Sequence, residues 1–411
     1  MKINILTPKL NIRNSPCLKN KNFIYFLIGV TISSLGDKIY EIAFPWIVYD
    51  ICKSSLIMGK VRMIQLVPSL LIGFFMGAII DKVNRKRLLF LSVLGQIICM
   101  LLLFVMVWFN KLSLTGIYGL SFTVSGLAFI FIVTQQSSMH LIIRKEDLLE
   151  ANTNISFFRN LISILGPALV GILISSIKLQ GMVIFNLITF GILVLCIVPI
   201  NFAPQDSDIK KDSRFFVQIS EGWQYIKKDK IISSSIFMIT IMNIGMVAFA
   251  TLILFHIRNN LQFTSNQVGW FYTLGAIGTV LAPILSKIMS QEVTKGKLIC
   301  NAALIVGLSV FSFSLLENFF ILGMIYGISS GAVTIVNIHV TTIIQKNSEE
   351  SHIGRIMTNA LTIVKITAPI AAFLAGYLAE LLNSSLVIRG SSMIVILGAL
   401  YSFYTPLRKA N

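Results

Sequence analysis

The sequence predicts an all-α, polytopic membrane protein, with twelve transmembrane helices in two pseudo-symmetric six-helix bundles. Hydrophobic residues make up 55% of the chain and charged residues only 12%, with a mean hydropathy of +0.82. Soluble domains carry about 25% charged residues, so 411 residues with this composition cannot cover a globule with polar groups. The apolar residues also form blocks of roughly 20 or more, the length that a helix needs to cross a bilayer.

The apolar blocks define twelve predicted spans in two groups of six. They lie at 22–50, 56–80, 88–109, 114–139, 154–177, 182–201, 231–257, 267–289, 297–316, 319–343, 356–381 and 386–405. The longest polar stretch separates the groups, and its second half, from Arg214, predicts a short amphipathic helix on the membrane surface. The predicted division is a tail at 1–21, bundles at 22–201 and 231–405, a central linker at 202–230 and a tail at 406–411.

Basic residues predict the orientation of the chain in a bacterial cell membrane. If the N-terminus is cytoplasmic, the inside segments hold about 24 Lys and Arg residues and the outside segments about seven. This asymmetry predicts that both termini are cytoplasmic. It also accounts for the net charge of +17 without a nucleic-acid partner, because no basic face with interleaved aromatics lies outside the apolar blocks. The predicted partner is the lipid bilayer.

Three charges lie inside the first predicted span, in the stretch GDKIYEIAFPW. Asp37 and Glu41 are four residues apart and share a helix face, with Lys38 beside them. A charge that faces lipid costs several kcal/mol, so this face is predicted to line a central cavity. Two close carboxylates in a low dielectric disfavour joint ionisation, so one of them can bind a proton.

Two interpretations of these charges stay open. In the first, the acids exchange protons or substrate. In the second they are structural: Lys38 neutralises Glu41, and Asp37 pairs with Arg159 in the fifth span or Lys365 in the eleventh. We favour a mixture, in which basic partners tune acids that also titrate. The candidate residues for proton and substrate coupling are therefore Asp37, Glu41, Lys38, Arg159 and Lys365.

A second motif is the loop GAIIDKVNRKR, residues 77–87, between the second and third spans. Gly77 permits close helix approach, and Asp81 can accept a hydrogen bond from a helix N-terminus. Asn84 is predicted to adopt the left-handed backbone conformation. The loop resembles the signature loop of the major facilitator superfamily, G-x-x-x-D-R/K-x-G-R-R/K, except that Asn84 replaces a glycine. The matching residues are Gly77, Asp81, Lys82, Arg85 and Lys86, and Arg87 follows them.

That resemblance implies a cytoplasmic gating loop that clamps the two halves in the outward-open state. The second-half counterpart at 285–297 lacks the acid. A weak internal repeat, 153–171 against 358–376, agrees with two related halves around a cavity. The stretches LGDKIYEIAFPWIVYD and EDLLEANTNISFFRNLISILGPALVG further resemble the macrolide-efflux and enterobactin-exporter branch of drug:proton antiporters.

A third motif, GPALVG at 166–171, lies in the fifth span. A proline kink with small residues for helix packing explains it physically. It also resembles the antiporter motif G-P-x-x-x-G of proton-coupled drug exporters, through Gly166, Pro167 and Gly171. There the motif helps to seal the cavity against leak. The arginine that this family carries in its fourth span is absent here, where the segment has Gly126 but no arginine.

These motifs predict a monomeric secondary transporter that exports an amphipathic small molecule, such as a drug, macrolide or siderophore-like compound, in exchange for protons. Such an activity would contribute to antibiotic resistance. The alternatives are a proton-coupled nutrient importer with the same fold, and a membrane sensor or enzyme. The chain has no phosphate-binding G-x-x-x-x-G-K-S/T loop, and its four histidines are widely separated. We therefore predict no enzyme activity, no cofactor and no metal site; the five scattered cysteines are predicted to be free thiols.

Overall fold

The computed structural model describes residues 17–109, 111–202, 223–348 and 350–410. Within these ranges, side-chain surroundings are described except at 74, 75, 77–79, 81, 82, 145, 164, 167, 168, 171, 172, 174–180 and 350–355. The structure is 90% helical and has no strand in the described ranges. The predicted all-α fold is therefore confirmed.

Eleven long helices account for most of the described chain. They are α1 Lys21–Cys52, α2 Ser55–Lys82, α3 Arg85–Trp108, α4 Leu114–Ile142, α5 Leu148–Ile197, α6 Lys230–Phe255, α7 Ser265–Met289, α8 Lys295–Phe313, α9 Phe319–Asn347, α10 Glu350–Leu381 and α11 Ser384–Tyr404. All except α5 contain a segment that is long and apolar enough to cross a membrane, which gives 10 candidate spans among the described residues.

Helix α5 folds back on itself and so has two arms. Its backbone is helical throughout, yet Gly166 lies against Lys38 of α1 and Asn186 donates a hydrogen bond to the carbonyl of Gly36, at 3.0 Å. In a straight helix, Gly166 and Asn186 would be about 30 Å apart, whereas Gly36 and Lys38 are neighbours. The chain therefore reverses direction between Gly166 and Asn186. The separate spans predicted at 154–177 and 182–201 correspond to the two arms of α5.

Polar side chains fix several helix starts close to their predicted positions. Asn20 caps α1 by accepting hydrogen bonds from two backbone amides. Thr264 and Gln267 form a reciprocal capping box at the start of α7. Helix α6 continues past its predicted end into a wider helical turn, His256–Asn260. The residues just before the C-terminus are docked, because the amide of Gly296 donates to the carbonyl of Ala410 at 2.9 Å.

The helices form two halves, α1–α5 and α6–α11, that meet along two pairs, α2 with α10 and α5 with α7. We call the face where α1 begins and α11 ends the terminal face, and the face where α1 and α6 end the distal face. One apolar core joins the first half to the distal parts of α6–α11, with Phe249, Phe271 and Phe313 among its members. A second core lies in the terminal part of the second half alone. Among the described residues, one apolar core therefore joins the halves at the distal face, whereas the terminal part of the second half has a core of its own.

Candidate functional site

A cavity of about 280 Å³ lies between the two halves. Residues of α1, α2 and α5 line it from the first half, and residues of α6, α7 and α9 from the second. Most of its wall is apolar, as in other small-molecule sites. Its polar lining includes Lys38, Glu41, Arg62, Gln65, Tyr272 and Tyr326.

The charges of GDKIYEIAFPW meet at this cavity. Lys38 Nζ and Glu41 Oε2 are 2.5 Å apart and form an ion pair, with 37% and 58% of the two side chains exposed. Asp37 lies one helical turn closer to the terminal face and is also exposed. Because a carboxylate that faces lipid is costly, we expect Asp37, midway along α1, to face a water-filled cleft below the cavity. Among the described residues it forms no hydrogen bond or ion pair.

Three charged groups surround Asp37 closely enough to interact with it electrostatically: Glu41, Arg159 and Lys38. Arg159 does not form a direct ion pair with Asp37; its guanidinium donates to Gln135 Oε1 on α4, at 2.8 Å. Gln135 is a neutral partner, so the charge of Arg159 remains available to an anion in the cleft.

Lys365 is also placed at the middle of the bundle, on α10. Its ammonium lies 4.9 Å from the centre of the Phe129 ring on α4, in a cation–π contact across the two halves. Its side chain is exposed. The structure thus brings Asp37, Lys38, Glu41 and Arg159 together. Lys365, which belongs to the second half, lies at a separate contact with Phe129 of the first half.

Arg62 is a cavity residue that our sequence reasoning did not single out. Its Nη1 donates to Gln65 Oε1, three residues along α2, at 3.3 Å. Tyr272 and Tyr326 lie within electrostatic range of both Arg62 and Glu41. The signal was available in the sequence, because Arg62 is a base inside a predicted span, the same property that identified Arg159.

The distal face is closed by two sets of contacts between the halves. In the first, Arg258 at the end of α6 lies 3.8 Å from Asp50 Oδ1 of α1. The same guanidinium stacks on Trp46, 4.3 Å from the ring centre. The Tyr49 hydroxyl donates to Asn259 Oδ1, at 3.3 Å.

The second set joins the start of α2 to the end of α10. Glu380 Oε2 accepts hydrogen bonds from Ser54 Oγ, Ser55 Oγ and the amide of Leu56, at 3.0, 3.0 and 3.2 Å. A carboxylate at a helix N-terminus is favoured by the helix dipole. One turn further, Gly59 and Gly376 bring the two backbones into contact.

The hydrogen bonds and the ion pair described above all join the halves at the distal face. Gln136 of α4 and Asn337 of α9 are exposed in the terminal parts of their helices. Amide side chains are costly to expose to lipid, so these residues are expected to line a water-filled cleft. The described residues thus place the polar contacts between the halves at the distal face and these exposed amides towards the terminal face.

The described part of the gating loop binds within the first half. Asn84 has φ −58° and caps α3 by accepting from the amide of Arg87; the predicted left-handed backbone is wrong, because capping needs an extended residue. Arg85 is buried and donates to the carbonyl of Ser137. Lys86 donates to the carbonyls of Val198 and Ile200 after α5, at 2.7 and 2.8 Å.

The remaining loop residues Gly77, Asp81 and Lys82 belong to the last turns of α2, and their contacts lie outside the described residues. Arg87 is exposed. Pro167 and Gly171 lie within α5, and their surroundings are also outside the described part. The latch function of the loop therefore remains a prediction.

Gly166, the first glycine of GPALVG, lies directly against the coupling residues of α1. A Cβ atom at Gly166 would be 3.2 Å from Lys38 Cβ and 3.5 Å from Lys38 Cγ. The close approach of α5 to α1 at this point agrees with the packing interpretation of the motif. It also means that a larger side chain would displace Lys38.

Gly166→Leu is expected to lower the transport rate more than Gly166→Ala. Overpacking costs about 1–3 kcal/mol, and here part of that cost would be relieved by moving Lys38 away from Glu41. Transport by the purified variants in liposomes and their thermal unfolding measure the two effects. Gly191→Ala is a matched control, because a Cβ there would meet nothing within 4 Å. Wild-type rates in Gly166→Leu would contradict this role.

A cluster of potential metal ligands lies at the terminal face, where none was predicted. Cys17, Asp147 and Glu150 place their ligand atoms within 4.8 Å of one another. Burial, together with the charges of Glu150 and Asp147, raises the pKa of the Cys17 thiol to about 11. Metals bind the thiolate, and the Cys17 thiol instead contacts the carbonyl of Asp147, at 3.3 Å. This cluster is better suited to packing than to metal binding.

Comparison with known proteins agrees with this architecture. The model of the Major Facilitator Superfamily matches residues 26–372. The chain is 22% identical to the MFS-type transporter YfiS of Bacillus subtilis (strain 168), itself uncharacterised, over 93% of both chains. It is 24% identical to the staphyloferrin A transporter of Staphylococcus aureus (strain NCTC 8325 / PS 47), over 64% of this chain and 66% of that one.

The fold is also similar to solved transporter structures. A bacterial homologue of the human lysosomal transporter Spinster, in an inward-facing and unoccupied conformation, superimposes with a TM-score of 0.71. The identity is 12%, over 93% of this chain and 96% of that one. With the family match spanning most of the chain, this multi-pass membrane protein belongs to the Major Facilitator Superfamily of transporters.

Proposed function

We propose that the protein exports an amphipathic compound across a bacterial cell membrane in exchange for protons, by alternating access. The observation that carries the proposal is the cavity between the halves, with the Lys38–Glu41 ion pair in its wall and Asp37 exposed one turn below. A carboxylate at this depth is costly in lipid. It is stable here because the cleft supplies water and neighbouring bases supply compensating charge.

Membrane orientation supports export. The basic loop residues Arg85, Lys86 and Arg87 lie at the terminal face, together with both described chain ends. The positive-inside rule assigns that face to the cytoplasm. The cleft then faces the cytoplasm, as in the inward-facing Spinster homologue. In this orientation it would receive a substrate from the cytoplasm. The likeness to a staphyloferrin A transporter and the resemblance to macrolide and enterobactin exporters support an amphipathic, drug-like or siderophore-like substrate.

Proton coupling rests on the charges around the cleft. The groups that face Asp37 are Glu41 and Lys38 on α1 and Arg159 on α5, while Arg62 on α2 shares the cavity with Glu41. The carboxylate of Asp37 can accept either a proton or a hydrogen-bond donor of the substrate. A proton and a substrate would thus compete for the same site, and their competition couples the two flows.

Transport assays in cells and in liposomes test the proposal. We expect overexpression in an exporter-deficient bacterial strain to lower the accumulation of at least one compound from a panel of antibiotics, dyes and siderophores. The responsible compound, loaded into proteoliposomes, should leave faster when a proton gradient is imposed in the opposite direction. Unchanged accumulation of every compound in the panel would contradict export. Raised accumulation that depends on the same gradient would instead favour the nutrient importer.

A further inference from the structure

The charges in and below the cavity do not balance. Among the described residues, three bases, Lys38, Arg62 and Arg159, line the cavity or lie close to Asp37, against two acids, Asp37 and Glu41. Lys38 is engaged by Glu41 at 2.5 Å, and Arg159 lies in the field of Asp37. Lys365 lies against an aromatic ring in the opposite half. Arg62 is therefore the base in the cavity wall that has no acidic partner among the described residues.

Arg62 is held in a position suited to binding an anion. It is the eighth residue of α2, about 10 Å from the distal start of the helix at 1.5 Å per residue. A guanidinium has five N–H donors, and one hydrogen bond is described for it, to Gln65 at 3.3 Å. A cation at such depth is expensive unless it is paired. A planar fork of free donors matches a carboxylate in both geometry and charge.

The opposite wall of the cavity is suited to an apolar or aromatic body. Tyr272 of α7 and Tyr326 of α9 form an aromatic pair, with ring centres 5.8 Å apart. The Tyr326 ring also stacks on Phe271 at 5.0 Å. Apolar side chains such as Met58 and Leu254 complete the wall. The wall from the first half thus offers a cation, and the wall from the second half offers rings and hydroxyl groups.

We propose that the transported compound is an organic anion, whose carboxylate pairs with Arg62 and whose apolar body packs on Tyr272 and Tyr326. This inference deepens the proposed function and rests on it only for the statement that the bound compound is transported. A cationic substrate fits the same cavity poorly. The cavity acid, Glu41, is already neutralised by Lys38, and Arg62 repels a second positive charge.

Ligand-dependent thermal stability of the purified full-length protein tests the anion site directly. The probes are 4-phenylbutyrate and benzoate, each compared with its uncharged amide. We expect the carboxylates, but not the amides, to raise the unfolding temperature of the wild type in a saturable manner. Arg62→Gln should raise the half-saturating concentration about tenfold or more, which corresponds to at least 1.4 kcal/mol. Arg62→Lys keeps the charge but loses the planar fork of donors. Its half-saturating concentration should lie between those of the wild type and Arg62→Gln.

Arg144→Gln is the matched control, because Arg144 is an exposed arginine in the loop before α5; it should respond as the wild type does. No response of the wild type to either carboxylate, or an equal response in Arg62→Gln, would overturn the proposal. If uncharged or cationic compounds are exported while carboxylates do not bind, the export proposal stands and the anion site falls. If carboxylates bind through Arg62 but nothing is exported, the anion site stands and the export proposal falls.

Discussion

Asp37→Asn is expected to abolish proton-coupled transport while leaving the protein folded and inserted. Asparagine has nearly the same shape as aspartate but cannot bind or release a proton. Asp37 is exposed and forms no hydrogen bond or ion pair with a described residue, so its replacement breaks no such interaction. Proteoliposomes that contain a pH-sensitive dye would report substrate-driven proton movement. We expect this signal to fall to that of empty liposomes.

Two controls separate coupling from stability. Glu317→Gln neutralises an exposed carboxylate in the loop before α9, and it should keep wild-type proton movement. The unfolding temperature of Asp37→Asn should stay near that of the wild type, since substitutions at exposed sites change stability by about 0.5 kcal/mol or less. Substrate-driven proton movement at the wild-type rate in Asp37→Asn would remove this residue from the coupling mechanism.

The fold was largely predictable because bilayer-length apolar blocks have few structural solutions. Predicted and observed limits agree within a few residues for helices such as α1, predicted at 22–50 and observed at Lys21–Cys52. The reversal inside α5 agrees with the two separate spans predicted at 154–177 and 182–201. The failure at Asn84 was local: a side chain that tolerates left-handed backbone also caps helices, and the sequence does not distinguish these roles.

The site was predictable only where it depends on one helix. Helical spacing put Lys38 within reach of Glu41, and the structure contains that ion pair. The partners of Arg159 and Lys365 were not predictable, because Gln135 and Phe129 come from another helix. The distal contacts of Arg258 and Glu380 depend in addition on which conformation the two halves adopt. No local pattern contains that information.

Gly376→Ala is expected to hold the distal face open and to reduce transport strongly. A Cβ at Gly376 would lie 2.6 Å from the carbonyl oxygen of Ser55 and 2.7 Å from Gly59 Cα. These are backbone atoms, which cannot rotate away, so α2 and α10 must separate. Separation would also lengthen the hydrogen bonds from Ser54 and Ser55 to Glu380. The closed distal face would thus lose both contacts of this helix pair.

The conformational shift can be measured by labelling a cysteine in the cavity wall from the distal side. Val48→Cys, in a background without the five native cysteines, would react slowly with a membrane-impermeant maleimide while the distal face is closed. We expect Gly376→Ala to raise that rate about tenfold or more. This corresponds to a shift of at least about 1.4 kcal/mol in the equilibrium between the closed and the open distal face. Gly59→Ala should act similarly, because its Cβ would lie 2.8 Å from the Ala372 carbonyl oxygen.

The helix propensity of alanine acts in the opposite direction to the expected loss of the α2–α10 contact. The two effects can therefore be told apart. Alanine favours a helix over glycine by about 1 kcal/mol, so Gly376→Ala would stabilise an isolated α10. The control Gly390→Ala makes the same change in α11, where a Cβ would meet nothing within 4 Å. It should leave labelling and transport unchanged and raise the unfolding temperature. If Gly376→Ala behaved like Gly390→Ala, the contact between α2 and α10 would not be the barrier that closes the distal face.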